Sequence, residues 1–222
     1  MSSTVSLTNG RHVVILCHPD PASFNHSVAD AYASAVLASG QQVLMRDLYA
    51  LGFDPVLKGS ERPTAPDFKV SADVQSELEL IRGSDVFVLI YPIWFGSPPA
   101  MLKGYVERVL GAGVTPDDIQ KQTPTSLLGG KRLLSFSTSA ANSIWLNEQG
   151  QEGAMSEGFD QYLLHAFGMH SQHHMRIPHI TSALSDRFAH QYFRDVKDQA
   201  TRTCAEIARD PAVIRPRNSA RR

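Results

Sequence analysis

Residues 86–102, VFVLIYPIWFGSPPAML, run from an apolar strand straight into an aromatic turn rich in glycine and proline, and then into the start of a helix. Val86, Phe87, Val88, Leu89 and Ile90 form an uninterrupted apolar run, the pattern of a parallel strand covered on both faces. The strand is therefore expected at the centre of a sheet. Beyond it, Pro92, Pro98 and Pro99 prevent regular pairing, Gly96 permits unusual dihedrals, and Pro99 sits where a proline suits the first turn of a helix. Trp94 and Phe95 ride on this stiffened turn. Ligands of open α/β sheets bind beyond the carboxyl ends of the strands, which puts both rings at the edge of a site for a planar ligand. The competing reading is a hydrophobic turn that packs on a neighbouring subunit.

Working outward, apolar strand patterns at 12–17, 42–46, 86–91, 132–136 and 172–177 alternate with helical spacing of apolar residues at 27–37, 74–81, 100–110, 158–167 and 186–209. Strict strand–helix alternation implies an α/β fold with a parallel sheet and helices on both faces. Right-handed crossovers and five strands favour the order 2-1-3-4-5. Two connections are long. Residues 49–68 hold Pro55, Pro63, Pro66, Gly52 and Gly59 without a clear period, and residues 111–131 are expected to lie over the sheet edge as a flap.

The chain has 222 residues, 42% of them hydrophobic, and a net charge of −1. That length supports one sizeable core, with residues 1–10 read as a flexible N-terminus, 11–210 as the single domain and 211–222 as a basic tail carrying Arg215, Arg217, Arg221 and Arg222. Near-neutral charge offers no field for nucleic acid or an anionic membrane. No apolar run approaches the roughly 18 residues of a membrane span, and the polar start lacks a signal-peptide core. Cys17 and Cys204 lie far apart and form no disulfide framework. A soluble, cytoplasmic protein with no membrane insertion is expected.

After the first strand comes CHPDPASFNHS, residues 17–27. Unpaired amides at a helix N-terminus attract phosphate, and Ser23, Asn25 and Ser27 can add hydrogen bonds, although helix capping alone explains Ser23 and Asn25 as well. Glycine is too sparse here for a Walker loop or a GxGxxG fingerprint. His165, His170, His173, His174 and His179 crowd the fifth strand. Strand alternation sends His173 and His174 to opposite faces, and no cysteine or near carboxylate completes a ligand set, so no metal site is expected. Lys103, Glu107 and Arg108 read as a solvated helix face with weak ion pairs.

Three motifs in order, HPDPASFNHS after the first strand, DLYALGFDP after the second and YPIWFGSPPAMLKGYVERV from the third, resemble the flavin-dependent NAD(P)H:quinone oxidoreductases of flavodoxin-like fold. Bacterial drug-activity modulators and the ancillary oxidoreductases of potassium-efflux systems belong to the same group. The resemblance covers about residues 13–178. It implies a flavodoxin-like three-layer sandwich, a homodimer, a flavin and hydride transfer from NAD(P)H to a quinone or similar aromatic acceptor by a ping-pong route. An ancillary, low-turnover subunit of a membrane transport system is the alternative it leaves open.

By the same resemblance, His18, Ser23, Phe24 and Asn25 surround the flavin's phosphates and ribityl or adenosine portion. Pro92, Ile93, Trp94 and Phe95 follow the isoalloxazine edge, and Ser137, Thr138, Ser139 and Ala140 hold its pyrimidine end. Ser139 and Ala140 stand where the family has glycines, which implies a less close backbone approach. Trp145 and Gln151 occupy the positions of a tyrosine and a histidine that stabilise the reduced ring. Both can donate a hydrogen bond, and neither can relay a proton as histidine does. The first motif points to FAD and leaves FMN open; NADH and NADPH are not distinguished.

Overall fold

The third strand, Val86–Pro92 (β3), is buried along its whole length, as its unbroken apolar run requires of a strand with helices on both sides. It pairs in parallel with the first strand, Arg11–Leu16 (β1), and with the fourth, Arg132–Thr138 (β4). The second, Gln42–Asp47 (β2), and the fifth, Ser171–Ile177 (β5), lie at the edges, giving the order β2-β1-β3-β4-β5. In this computed structural model, residues 10–123 and 127–210 are described. The expected basic tail and the first nine residues lie outside them.

Two helices cover one face: Phe24–Ala38 (α1) and the 24-residue Asp186–Arg209 (α8). Their core holds Val28, Tyr32 and Val36 against Val88, Phe136 and Ile207. The opposite face carries Ala72–Ile81 (α2), Ala100–Tyr105 (α3), Pro116–Gln120 (α4), Gln151–Met155 (α6) and Tyr162–Ala166 (α7), while Ser143–Glu148 (α5) follows β4 and contacts α6. Here Val13, Ile15, Phe87 and Leu89 meet Leu102, Tyr105 and Phe159. Fully burying each such side chain contributes about 1.5–3 kcal/mol.

The helical spacing at 100–110 ends in a π turn, Val106–Leu110, closed by Gly111 N–H donating to Val106 O at 2.8 Å. A second π turn, Ser156–Gln161, joins α6 to α7, so the helical stretch starts well before residue 158. β4 also runs two residues beyond the expected end: Ser137 and Thr138 are strand, in register with Tyr91 and Pro92 on one side and with Arg176 and Ile177 on the other. Both expected loops are anchored. Among the described residues of 111–131, which include the helix Pro116–Gln120, Val114, Ile119 and Leu127 pack on the core and Leu128 is fully buried, so they are more closely held than the expected flap.

Arg108 corrects the expectation of a solvated face. Its guanidinium is buried and bidentate to Glu61 at 2.8 and 2.7 Å, bonds Asp73, and lies 5.5 Å over the Phe53 ring. It thereby fastens residues 49–68, including the 3-10 turn Gly59–Glu61, to the helical layer. Pro55 completes the clamp. A Cβ at Gly104 would come within 2.3 Å of Pro55 O, so only glycine admits that contact. Lys103 and Glu107 do form the expected exposed pair.

Candidate flavin site

At the carboxyl end of the sheet, a cavity of about 190 Å³ is lined by His18, Phe24, Asn25, Pro92, Ile93, Trp94, Thr138, Ser139, Ala140 and Ile180. Loops after β1, β3 and β4 thus converge there. Asn25 stands in the first turn of α1 with only 2% of its surface exposed. Its Oδ1 accepts the Thr138 hydroxyl at 2.6 Å, and its Nδ2 has no hydrogen-bond partner among the described residues. A buried, unmatched amide donor in a cavity wall is costly. An anionic oxygen at the α1 N-terminus would satisfy it and gain from the helix dipole. The cavity therefore fits a phosphate-bearing ligand.

His18 accepts the Asp20 amide at Nδ1, 3.0 Å away, which leaves Nε2 as the donor nitrogen. Its ring lies 5.8 Å from that of Trp94, and the two form an apolar and polar wall together. Phe24 stacks on Phe193 of α8, with ring centroids 4.9 Å apart. Ser23 does cap α1, yet its hydroxyl faces His26 Nδ1 at 2.8 Å, and His26 Nε2 is 3.0 Å from Asp47 at the end of β2. With Nε2–H donated to Asp47, Ser23 must donate to Nδ1, so its side chain is committed inside the protein and is not among those lining this cavity. His26 and Asp47 were missed in the sequence because they act through Ser23.

The aromatic turn is a two-residue hairpin. Trp94 and Ser97 exchange backbone hydrogen bonds of 3.0 and 3.1 Å, and both central residues have positive φ, Phe95 at 48° and Gly96 at 76°. That is the type I′ pattern, comfortable for glycine and strained for phenylalanine. Phe95 stands fully in solvent, at 108% of its reference exposure, while Trp94 lines the cavity. The Phe95 and Gly96 amides have no partner among the described residues. Gln151 packs so tightly on Gly96 that a Cβ there would lie 1.8 Å from Gln151 Nε2.

A second cavity, about 320 Å³, adjoins the first through Ile93 and Ser139 and is lined also by Ser137, Leu146, Gln151, Met155, Arg176, Ile177 and Pro178. Of the expected residues, Ile93 and Ser139 line both spaces, and Ser137 and Gln151 line this one alone. Trp145 lines neither cavity and is half exposed on α5, its amide accepted by the Asn142 cap at 2.7 Å. Ser139 N–H donates to Ile177 O and its Oγ accepts from Ala141, so this loop is fixed by the residue that replaces glycine. Cys17, just past β1, is wholly buried, and burial pushes its thiol up to about 12.

The family model described as flavodoxin-like fold matches residues 10–200. The chain is 31% identical over 146 residues to an uncharacterized NAD(P)H oxidoreductase of Haemophilus influenzae, an overlap of 65% of this chain and 72% of that one. It is 28% identical over 163 residues to NAD(P)H dehydrogenase [quinone] 1 of Rattus norvegicus, 66% of this chain and 59% of the rat protein. The chain thus spans less than two thirds of that longer relative. An NAD(P)H:quinone oxidoreductase from Methanothermobacter marburgensis shares the fold at a TM-score of 0.72 and 20% identity, covering 88% of this chain and 97% of its own. Strand order, the convergence of three loops at one sheet end and the match over residues 10–200 lead to one conclusion: the chain belongs to the flavodoxin-like fold family.

Proposed function

We propose that the protein is a flavin-dependent oxidoreductase that takes a hydride equivalent from NAD(P)H and delivers it to a quinone or a similar electrophilic aromatic acceptor, donor and acceptor using one pocket in turn. The observation that carries this reading is the unmatched Asn25 amide, buried in a cavity whose other walls are Trp94, Pro92 and Ile93. Likeness to the named NAD(P)H oxidoreductases supports the donor and acceptor classes. When bound, the flavin supplies the redox chemistry, and the protein supplies binding and orientation.

Asn25 Nδ2, His18 Nε2 and the first amides of α1 would hold phosphate oxygens. Trp94 would form the flat wall, and the Phe95 and Gly96 amides would donate to the ring's polar edge. Thr138, Ser139 and Ala140 would bound its pyrimidine end, with Gln151 as an amide donor behind the turn and Trp145 as an outer indole. We favour FAD over FMN because the HPDPASFNHS segment resembles the version that serves the dinucleotide.

A homodimer would cover the exposed Phe95, Ile144, Trp145 and Tyr162, and light scattering reads that state directly. Free buried thiols suit a reducing cytoplasm, and among the described residues no helix is long and apolar enough to cross a membrane.

The test is the visible spectrum of the purified protein, followed by chromatography of the cofactor released on heating. Bound flavin that NAD(P)H bleaches and a quinone restores is the expected result. A protein that neither contains nor takes up flavin overturns the reading. FAD in the released fraction supports the dinucleotide assignment, and FMN overturns that part alone.

A further inference from the structure

The second cavity has a buried chain of proton-bearing groups in its floor. Ser137 Oγ lies 2.7 Å from His174 Nε2, and His174 Nδ1 lies 2.5 Å from Asp160 Oδ2 on the π turn. Both inner side chains are essentially sealed from solvent, at 3% and 1% exposure, and Ser137, itself 1% exposed, lines the cavity. Ser135 approaches the other oxygen of Asp160 at 3.4 Å, and Arg176 Nη2 stands 3.9 Å from the carboxylate. Tyr91 of β3 closes the third side, its ring 6.2 Å from that of His174. Burial, with Asp160 behind it, pushes the Tyr91 phenol up, so it stays protonated. His173, next in the chain, faces α8, where Arg202 and Glu206 act on it.

A serine, histidine and aspartate in line also make a hydrolytic triad, but this backbone excludes that use. A nucleophile of that kind needs an exposed turn with free amides for the developing oxyanion. Ser137 instead lies inside β4, paired on both sides with Tyr91 and Arg176. The hydroxyl can exchange a proton with the cavity; the main chain around it cannot hold an oxyanion.

We propose that Ser137, His174 and Asp160 form a proton relay that supplies the acceptor, performing the acid role that Trp145 and Gln151 cannot perform. This deepens the oxidoreductase reading and rests on it. Reducing a quinone to a hydroquinone takes two electrons and two protons, equivalent to a hydride and one further proton. The hydride equivalent originates from NAD(P)H; the further proton leaves Ser137 Oγ for the acceptor oxygen. As the Ser137 O–H bond breaks, the His174 Nε2–H proton passes to Ser137 Oγ, and His174 ends neutral, with its Nδ1–H held by Asp160. Water entering the cavity after product release restores the proton through Ser137. Ser137 is the residue that touches substrate, whereas His174 and Asp160 are positioning residues.

Two measurements test this. The first is rapid mixing of the reduced holoenzyme with a quinone, which requires a proton, and separately with ferricyanide, which accepts electrons alone. Ser137→Ala and His174→Gln should lower the rate of quinone reduction relative to that of ferricyanide reduction by roughly 100-fold. Equal losses with both acceptors would mean a structural role and overturn the relay, as would no loss with either. The second is proton NMR of the flavin-free chain: the His174 ring N–H held by Asp160 should give a downfield signal that is lost in both His174→Gln and Asp160→Asn. Absence of that signal from the wild type overturns the relay even where the flavin assignment stands; a wild-type chain that binds no flavin overturns the oxidoreductase reading instead, and the signal still decides whether the buried line exists.

Discussion

Asn25 accepts the Thr138 hydroxyl with its amide oxygen and keeps its amide nitrogen unmatched in the wall of the cavity. Asn25→Asp replaces that donor by a carboxylate where the proposed ligand's phosphate would lie. Flavin affinity should fall at least about tenfold, equivalent to about 1.4 kcal/mol, as read by fluorescence titration. The hairpin makes a sharper case. Phe95 occupies a left-handed conformation that costs about 1–3 kcal/mol in a non-glycine residue. Phe95→Gly should therefore raise the thermal midpoint while removing an aromatic face from the site edge. Gly96→Ala should do the reverse, lowering stability by about 1–2 kcal/mol, because a methyl there meets Gln151 Nε2 as well as an unfavourable φ. Calorimetry of the two variants checks both signs. Neither the Phe95 strain nor the Gln151 contact was legible from residue types, since each depends on what folds over the turn.

Among the elements, the buried pair between the first π turn, Val106–Leu110, and the loop 49–68 has the largest expected effect. Glu61→Ala leaves Arg108 buried without its bidentate partner, a loss of about 3–5 kcal/mol, and chemical denaturation measures it. Bonding to Arg108 holds the Glu61 carboxyl down at about 2, from an ordinary 4.5. Its contribution is complete above the ordinary value and is lost as pH falls from there through about 2, so an acid unfolding scan should lose this step in Glu61→Ala. Sequence periodicity located all five strands and both long flanking helices, because apolar runs and helical spacing are local properties. It did not see that Arg108 points inward, because the same spacing fits either face until the loop's Glu61 arrives from 47 residues away. The Ser137–His174–Asp160 line was hidden for the same reason: the strand alternation separated His173 from His174, but the carboxylate comes from a π turn.

For the whole molecule, His12 sets an acid limit. It is fully buried in β1 between Tyr32 and Gln41, each 2.8 Å from a ring nitrogen, and burial lowers its affinity for a proton below the ordinary 6.5. The unfolded chain gains that proton near 6.5 and the folded chain does not, so stability falls as pH drops below that value. His173 shifts in the same direction. Melting temperature should decline on acidification through this window, and His12→Gln should flatten the decline. The two thiols have a different consequence. Cys17 and Cys204 are buried, and burial raises both above the ordinary thiol value, Cys17 to about 12, which favours the thiol over the thiolate at neutral pH. Quinones alkylate thiolates, so a catalyst of the proposed reaction would work in constant contact with its own poison. The fold confers chemical immunity by keeping its sulfur protonated: prolonged incubation with excess benzoquinone should add no thiol adduct to the native chain by mass spectrometry, while the unfolded chain should take up two.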